Sequence, residues 1–354
     1  MWGLAFRPLR GVFCLLFFYG SLAAAVAQED PVQAAREGLV LIPQGNSARL
    51  ELPGGQALQV SLPQRAEVSS LAAVSDADTG WAAAGSFPDA AGRQRLFLLT
   101  GDDKGSRALP EPPAQTGKER RAPVLLVDGG RLAGLAWLEG DGLQTLAVRA
   151  AAWNGRRWLA AQWVSHPGPG SQLALTGAVL VDGSWLLAWS AFDGTADEIV
   201  WSQRVGAGWL PVRRLSAPNA VPDITPALTA TAGGGGGGAL IAWSRYDGHG
   251  YQLRMARFER GEWRDERAAG PSGSLYPAFL GGPERPRLLY LEAAAKSWSV
   301  LDLDGTGRVQ AKASLSSPSL SRPVVDPVNG GVRLRWPAEK RQGTAPLEKL
   351  EQVP

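Results

Sequence analysis

The sequence predicts an all-β fold, a six-bladed β-propeller built from four-stranded antiparallel blades. Three observations support this prediction. An aromatic residue that ends an apolar strand recurs about every 50 residues, alternating strands follow it, and no helical pattern separates the units. The aromatic residues stand 46 to 56 positions apart, at Trp81, Trp137, Trp189, Trp243, Tyr290 and Trp336. Repeats of this kind bury their faces against one another, as propeller blades do.

Each unit also carries signals for the strands on either side of the aromatic strand. Ahead of it, a proline opens an earlier strand in four units, at Pro123, Pro226, Pro277 and Pro323. After it, a strand of period-2 alternation leads to a tight hairpin signal. A second tryptophan then follows, 21, 20 and 20 residues beyond Trp137, Trp189 and Trp243, at Trp158, Trp209 and Trp263. The units therefore share one strand order.

The last unit is incomplete, because little strand-like sequence follows Pro337. Residues 38–62 hold surplus strands ahead of the first aromatic unit. We expect these N-terminal strands to complete the last blade and to close the ring without a covalent link. Seven blades is the alternative, if residues 38–62 form a partial blade of their own. The six glycines at 233–238 are expected to form a long turn within one blade.

Residues 1–27 have the pattern of a secretory signal peptide, with basic residues ahead of an apolar core. Ala25-Val26-Ala27 supplies a small-residue cleavage site, so we expect cleavage after its last residue. The protein is then expected in the periplasm or outside the cell, as one propeller domain at 28–339 with a polar tail at 340–354. No stretch of the mature chain is long and apolar enough to predict a membrane span.

Charge and cysteine content exclude several classes of function. The 36 Lys and Arg residues nearly balance 33 acidic ones, which does not indicate a nucleic-acid binder. The sole cysteine, Cys14, lies in the signal segment, so the mature chain is predicted to lack disulfides, cysteine-ligated zinc and a cysteine nucleophile. His166 and His249 are the only histidines, and their spacing matches no metal motif. We therefore predict no metal and no cofactor.

Two segments resemble the repeats of sialidase-like propellers, which carry Asp-box or BNR motifs. They are Trp189-Ser190-Ala191-Phe192-Asp193-Gly194 and Trp243-Ser244-Arg245-Tyr246-Asp247-Gly248. The resemblance implies a six-bladed ring. In a catalytic member it would also imply three arginines that hold a substrate carboxylate, a Tyr–Glu nucleophile pair and an Asp acid/base. The early mature chain lacks the family's Arg-Ile-Pro motif and no Tyr–Glu pair can be assigned, so the resemblance supports the fold and not the activity.

Loops on one face of a propeller gather around its axis, so their polar residues are candidates for ligand contacts. The candidates are Arg121, His166, Asp223, Arg245, Tyr246, His249, Tyr276 and Arg322. None of them is assigned a catalytic role. The aspartates of the Asp-Gly pairs at 141–142, 193–194 and 247–248 are expected to cap their own turns. Five tryptophans outside the repeat positions are predicted to offer exposed contact surface: Trp153, Trp163, Trp185, Trp201 and Trp298.

These features predict an exported, non-enzymatic, monomeric propeller. It would bind a protein partner or a glycan-type ligand through its axial loop face. A divergent sialidase-like glycoside hydrolase is the alternative, and it would need three arginines and an acid to converge at the axis. An assembly factor of the cell envelope is a third possibility.

Overall fold

A computed structural model describes residues 32–33, 39–52, 55–74, 80–113, 115, 117–217, 219–232, 238–316, 323–328 and 331–335. The predicted signal segment, the C-terminal tail, Arg322, Trp336 and residues 233–237 of the glycine run lie outside these residues. Apart from one 3-10 turn at Leu143–Thr145, the described residues form strands and loops. No helix among them has the length and apolarity needed to cross a bilayer. The predicted all-β class is confirmed.

The strands form six antiparallel sheets with four strand positions each, which we number as blades 1 to 6. Blade 1 consists of β1 (Val32–Gln33), β2 (Val40–Gln44), β3 (Ser47–Glu51) and β4 (Ala57–Ser61), and blade 2 of β5 (Glu67–Ala73), β6 (Trp81–Pro88), β7 (Gln94–Asp102) and β8 (Gly105–Ala108). Blade 3 consists of β9 (Glu119–Asp128), β10 (Arg131–Gly140), β11 (Ala147–Ala152) and β12 (Gln162–Trp163).

Blade 4 consists of β13 (Gln172–Val179), β14 (Trp185–Phe192), β15 (Asp197–Val205), β16 (Gly208–Trp209) and β17 (Arg213–Arg214), and its outer position is shared by β16 and β17, which both pair with β15. Blade 5 consists of β18 (Asp223–Thr231), β19 (Gly238–Tyr246), β20 (Tyr251–Glu259) and β21 (Glu262–Ser272). Blade 6 consists of β22 (Ser274–Leu280), β23 (Arg287–Glu292), β24 (Ser297–Leu303) and β25 (Val309–Ser316).

The blades surround a central channel. Strands β5, β9, β13, β18 and β22 line a channel of about 860 Å³ and lie side by side in that order. Neighbouring blades pack face to face through apolar clusters that join residues of two sheets. Trp137, Trp189 and Trp243 are fully buried in these contacts, as the recurring aromatic predicted. Truncating such a buried side chain to alanine costs about 3–5 kcal/mol, so these residues hold the ring together.

The structure corrects one part of the prediction, the role of residues 38–62. Their strands pair with one another and with β1 to form blade 1, which packs Leu41 and Leu50 against Leu71 and Trp81 of blade 2. The last aromatic unit adds a two-stranded ladder, β26 (Val324–Val328) and β27 (Gly331–Arg335), and no hydrogen bond joins this ladder to blade 1 among the described residues. A self-paired sheet satisfies its own backbone groups and needs no strand from the last unit.

Ring closure nevertheless involves both ends of the described chain. Strand β1 lies beside β5 on one side and beside β26 on the other. The beginning and the end of the described part of the chain are therefore close to each other, and six four-position sheets account for six blades. A seventh sheet of that size is not present in the part of the chain that the structure describes.

The innermost strands of blades 3 to 6 share a β-bulge opposite the aromatic residue. We call the site opposite this bulge the aromatic position; it holds Trp137, Trp189, Trp243 and Tyr290. At each bulge a non-glycine residue has a φ between 47° and 56°, which is uncommon: Ala122, Ala174, Thr225 and Tyr276. Proline follows three of these four residues. Three of the prolines expected to open strands, Pro123, Pro226 and Pro277, therefore lie inside them, at bulges, where a strand tolerates proline. Pro323 does stand directly ahead of β26, as predicted.

Blade 2 departs from this pattern. Its bulge lies opposite Ala84 and Gly85, and Trp81 begins strand β6. The repeat spacing predicts Trp81 at the aromatic position, because it is the nearest aromatic residue, and this prediction is wrong. Trp81 is nevertheless fully buried, in the contact between blades 1 and 2.

Candidate functional site

Asp223 and Arg245, two of the predicted site residues, form a bidentate ion pair in blade 5. Arg245 Nε and Nη2 donate to Asp223 Oδ1 and Oδ2 at 2.8 and 3.1 Å. The sheet positions the pair, because Asp223 begins β18 directly opposite Arg245 on β19. Asp223 is fully buried, and 18% of the Arg245 side chain is exposed. The buried carboxylate is thus compensated by a cation in good geometry.

Further groups occupy the remaining hydrogen-bonding positions of this pair. Trp243 Nε1 donates to Asp223 Oδ1 at 2.6 Å. Arg245 Nη1 donates to Glu266 Oε1 at 2.9 Å, and the same oxygen accepts from Arg254. Burial lowers the pKa of Arg245, but its bonds to Asp223 and Glu266 outweigh burial and place the pKa above the ordinary value. All three guanidinium nitrogens therefore donate to carboxylates of the protein itself.

Tyr276 lies next to this network, across the boundary between blades 5 and 6. Its backbone N–H donates to Ser244 Oγ at 3.2 Å, and Ser244 precedes Arg245 on β19. Ser244 Oγ also lies 3.0 Å from Thr225 Oγ1. Burial raises the pKa of the Tyr276 phenol, so the hydroxyl is neutral at physiological pH. Asp223, Arg245 and Tyr276 are thus brought into one region.

The other predicted residues lie elsewhere in the ring. Arg121 pairs with Glu119 on its own strand, with Nη2 and Oε2 2.9 Å apart. Tyr246 ends β19, opposite Tyr251 on β20, and His249 is exposed in the turn between these two strands. His166 is exposed in the loop that enters blade 4. Their role as ligand contacts stays a prediction.

Two of the three Asp-Gly aspartates cap their turns, as predicted. Asp193 Oδ1 accepts the backbone N–H groups two and three residues ahead, at 2.8 and 3.2 Å, and these bonds lower its pKa. Asp247 Oδ1 accepts the equivalent two N–H groups, each at 2.9 Å. Asp141 differs, because its carboxylate pairs with Lys118 across 2.5 Å. Turn stability thus accounts for the first two residues.

The central channel is lined mostly by apolar residues and glycines, together with Ser69, Ser70, Thr176 and Thr229. Among the described residues that line it, Asp128 alone carries a charge. Asp223, Arg245 and Tyr276 are not among the residues that line it. No cluster of three or more His, Cys, Asp or Glu able to hold a metal occurs within the described part of the chain. The described part of the channel wall thus brings together no set of charged reactive groups.

Sequence reasoning missed a polar cluster that recurs beside the aromatic position. In blade 3, Trp137 Nε1 donates to Glu139 Oε2 at 3.0 Å, and Arg149 donates to Glu139 Oε1 at 2.7 Å. In blade 6, the Tyr290 hydroxyl donates to Glu292 Oε1 at 3.0 Å. The signal was present in the sequence, since the second residue after the aromatic is polar in blades 3, 5 and 6.

The prediction of five exposed tryptophans is wrong for three of them. Trp185, Trp201 and Trp298 are buried, because they fill further positions between sheets. Trp153 and Trp163 are half-buried. Trp163 and the predicted residue His166 both line a cleft between blades 3 and 4.

Comparison with known proteins identifies a fold. No family model and no curated protein matches the chain. The chain is similar to a variant of the Aleuria aurantia lectin in complex with Fucα1-6GlcNAc, with a TM-score of 0.50, 14% identity, and coverage of 80% of this chain and 93% of the lectin. A second structure of that lectin is described as a six-bladed β-propeller with a novel mode of fucose recognition. Its TM-score is 0.50 and its identity 13%, and the match covers 81% of this chain and 95% of the lectin. The chain has the six-bladed β-propeller fold.

Another propeller neighbour is an enzyme. A thermostable family-43 glycoside hydrolase has a TM-score of 0.40 and 10% identity, and the match covers 80% of this chain and 97% of the hydrolase. At identities this low the likeness concerns the fold, which many unrelated functions share. The sialidase type of repeat is not among the findings.

Proposed function

We propose that the protein is an exported, non-enzymatic β-propeller that binds a glycan-type ligand or a protein partner through loops of its ring. The observation that carries this proposal is the internal use of Arg245, whose three guanidinium nitrogens donate to Asp223 and Glu266. An arginine that grips a substrate carboxylate must present its donors to the substrate. In this chain the best-placed arginine stabilises the blade.

A divergent sialidase-like hydrolase is less well supported. It would need three free arginines and an acid at the axis. Arg121 is paired with Glu119 and Arg245 with Asp223, while the third candidate, Arg322, lies outside the described residues. Asp128, the one charged residue among the described residues of the channel wall, has no arginine beside it in that wall.

Likeness to a lectin supports the carbohydrate option within the proposal. The Aleuria aurantia lectin is described with a bound fucosylated disaccharide and matches four fifths of this chain. Propellers suit such binding, because loops from rigid sheets can present polar side chains with little loss of conformational entropy. Export rests on the signal pattern of residues 1–27.

The test combines binding and turnover on one preparation. The protein is purified from the exported fraction, where its N-terminus is expected at Gln28. It is then applied to an array of immobilised glycans that includes Fucα1-6GlcNAc, and incubated with 4-methylumbelliferyl glycosides, the α-sialoside among them. We expect saturable binding to one glycan class and no release of fluorophore. Turnover that Arg245→Ala or Tyr276→Phe abolishes would overturn the proposal.

A further inference from the structure

A cleft between blades 3 and 4 has the dimensions of a ligand site. Its volume is about 530 Å³, within the range of about 300–1,000 Å³ that small-molecule sites occupy. Its walls include Trp163, His166, Gln172, Trp189, Ala191 and Trp209. Aromatic walls with a few polar groups are the usual composition of such a site.

One wall of the cleft contains a buried hydrogen-bond donor without an acceptor. Trp189 is fully buried, and its Nε1 has no hydrogen-bond partner among the described residues. The indoles at the same position in blades 3 and 5 are satisfied, since Trp137 donates to Glu139 and Trp243 to Asp223. Buried N–H groups without partners are rare in folded proteins. The buried Nε1 atoms of Trp263 and Trp298 also lack partners among the described residues, but of these three tryptophans only Trp189 lines the cleft. A ligand in the cleft is therefore a candidate for the acceptor that Trp189 lacks.

Blade 4 lacks the two side chains that satisfy the indole in its neighbours. The position of Glu139 is held by Ala191, two residues after the aromatic. The position of Asp223, at the start of the innermost strand, is held by Gln172. That amide is occupied, because it accepts from Ser165 Oγ at 2.5 Å and donates to the His166 carbonyl at 2.6 Å. Ala191 and Gln172 both line the cleft. The cleft therefore lies where blade 4 lacks the polar cluster of blades 3, 5 and 6.

The electrostatics of the cleft favour a neutral occupant. No described residue that lines it is Asp, Glu, Lys or Arg. Val200 lies opposite Trp189 in blade 4, whereas the equivalent position in blade 3, opposite Trp137, is held by Arg149. Arg149 itself packs on the Trp163 ring at 4.6 Å and is paired with Glu139, so its charge is compensated. A ligand here needs an acceptor oxygen and an apolar surface, without a net charge.

We propose that this cleft binds a neutral pyranose sugar, with its apolar ring face packed on Trp163 or Trp209 and a hydroxyl oxygen accepting from Trp189 Nε1 once the side chains that cover this buried nitrogen move aside. A pyranose combines the required features, because its C–H groups form apolar faces and its hydroxyls are both donors and acceptors. The proposal rests on the proposed function and deepens it, by naming the site and the ligand class. His166, exposed at the edge of the cleft, is placed to contact an outer hydroxyl or a following sugar residue.

The experiment measures binding of six methyl glycosides, those of glucose, galactose, mannose, fucose, rhamnose and N-acetylglucosamine. Saturation-transfer NMR with the mature protein identifies which of them binds, and a titration gives its Kd. Ala191→Gln is the first variant, because it offers Trp189 an internal oxygen and fills the cleft without burying a charge. We expect at least a tenfold rise in Kd with no fall in Tm.

Two further variants, one in the cleft and one outside it, keep the test decisive if Ala191→Gln does not fold. Val212→Asp places a carboxylate at an exposed residue of the cleft, and Val309→Asp places one at an equally exposed valine of blade 6. We expect Val212→Asp to weaken binding tenfold and Val309→Asp to leave it unchanged. Wild-type affinity in both cleft variants would overturn the cleft while leaving a binding function intact, and so would failure of all six glycosides to bind when array glycans do. Turnover of a glycoside would instead overturn the proposed function.

Discussion

Trp137, Trp189 and Trp243 occupy one position in three blades, and each is fully buried. Their N–H groups differ: Trp137 donates to Glu139 and Trp243 to Asp223, while Trp189 has no acceptor among the described residues. Burial of the ring is fixed by the apolar pattern of the repeat. Whether the indole N–H has an acceptor depends on a single neighbouring side chain, so one substitution of that side chain can remove or supply the hydrogen bond.

Asp197 gives the folding stability a dependence on pH. Burial, assisted by the negative charge of Asp193, raises the pKa of Asp197 from 3.8 to about 6. Because the folded pKa exceeds the unfolded one, the protonated carboxyl favours folding. That contribution is complete below about pH 4 and is lost as the pH rises through 6. We expect Asp197→Asn to raise the free energy of unfolding by roughly 1–2 kcal/mol at pH 8 and to change it little at pH 4, in urea titrations.

Asp304→Asn serves as a control of opposite sign for this prediction. Burial opposes ionisation of Asp304, but hydrogen bonds from Thr306 and Arg308 outweigh it and lower the pKa. Its contribution is therefore present at pH 8 and lost at acidic pH. The explanation fails if Asp197→Asn has the same effect at pH 4 and pH 8.

Among the elements, the innermost strands have positions that the sequence pattern predicts and bulges that it does not predict. Prolines at 123, 226 and 277 predicted strands at the right places, and each lies at a bulge inside its strand. The bulge matters because it frees peptide groups for contacts between blades, such as the bond from the Tyr276 N–H to Ser244 Oγ. Backbone irregularity of this kind is set by packing between blades, so hydropathy alone does not reveal it.

The strained residue of the bulge in blade 4 permits a stabilising substitution. Ala174 has a φ of 53°, a conformation that costs a non-glycine residue about 1 kcal/mol. We expect Ala174→Gly to leave stability unchanged or to raise it by up to about 1 kcal/mol. Ala178→Gly, in the regular part of the same strand, should lower it by about 0.5–1 kcal/mol. Equal losses in the two variants, measured by urea unfolding, would show that the positive φ carries no strain.

Much of the element order could be predicted, and the side-chain partnerships could not. The aromatic spacing and the hairpin signals located the central strands of five blades. Trp81 was misplaced, because aromatic spacing cannot tell a residue at the start of a strand from one opposite a bulge. Asp223 and Arg245 were both named as candidates, yet their pairing depends on the register of β18 and β19, which no local pattern specifies.

At the scale of the whole molecule, blade 1 decides how the ring closes. It packs on blade 2, and its innermost strand lies beside β26 near the end of the described chain. A ring whose blades pack face to face on their neighbours should unfold as one unit, because the loss of a blade exposes apolar faces on the blades beside it. Blade 1 therefore stabilises the ring as much as the blades that the aromatic repeat revealed.

Leu50→Ala tests this coupling. Leu50 is fully buried between blades 1 and 2, and its truncation should cost about 2–5 kcal/mol. We expect calorimetry to show a single transition at lower temperature. Leu143→Ala, at a leucine that is 45% exposed, should change stability by less than about 0.5 kcal/mol. A small early transition in Leu50→Ala, followed by an unshifted main one, would mean that blade 1 unfolds independently.

The polar cluster beside the aromatic position occurs in blades 3, 5 and 6, while blade 4 has Ala191 where these three have a charged side chain. A substitution in one blade leaves the corresponding contacts of the other blades unchanged. One blade can therefore serve recognition while the others keep the scaffold rigid. A change of ligand specificity would then require substitutions in that blade alone.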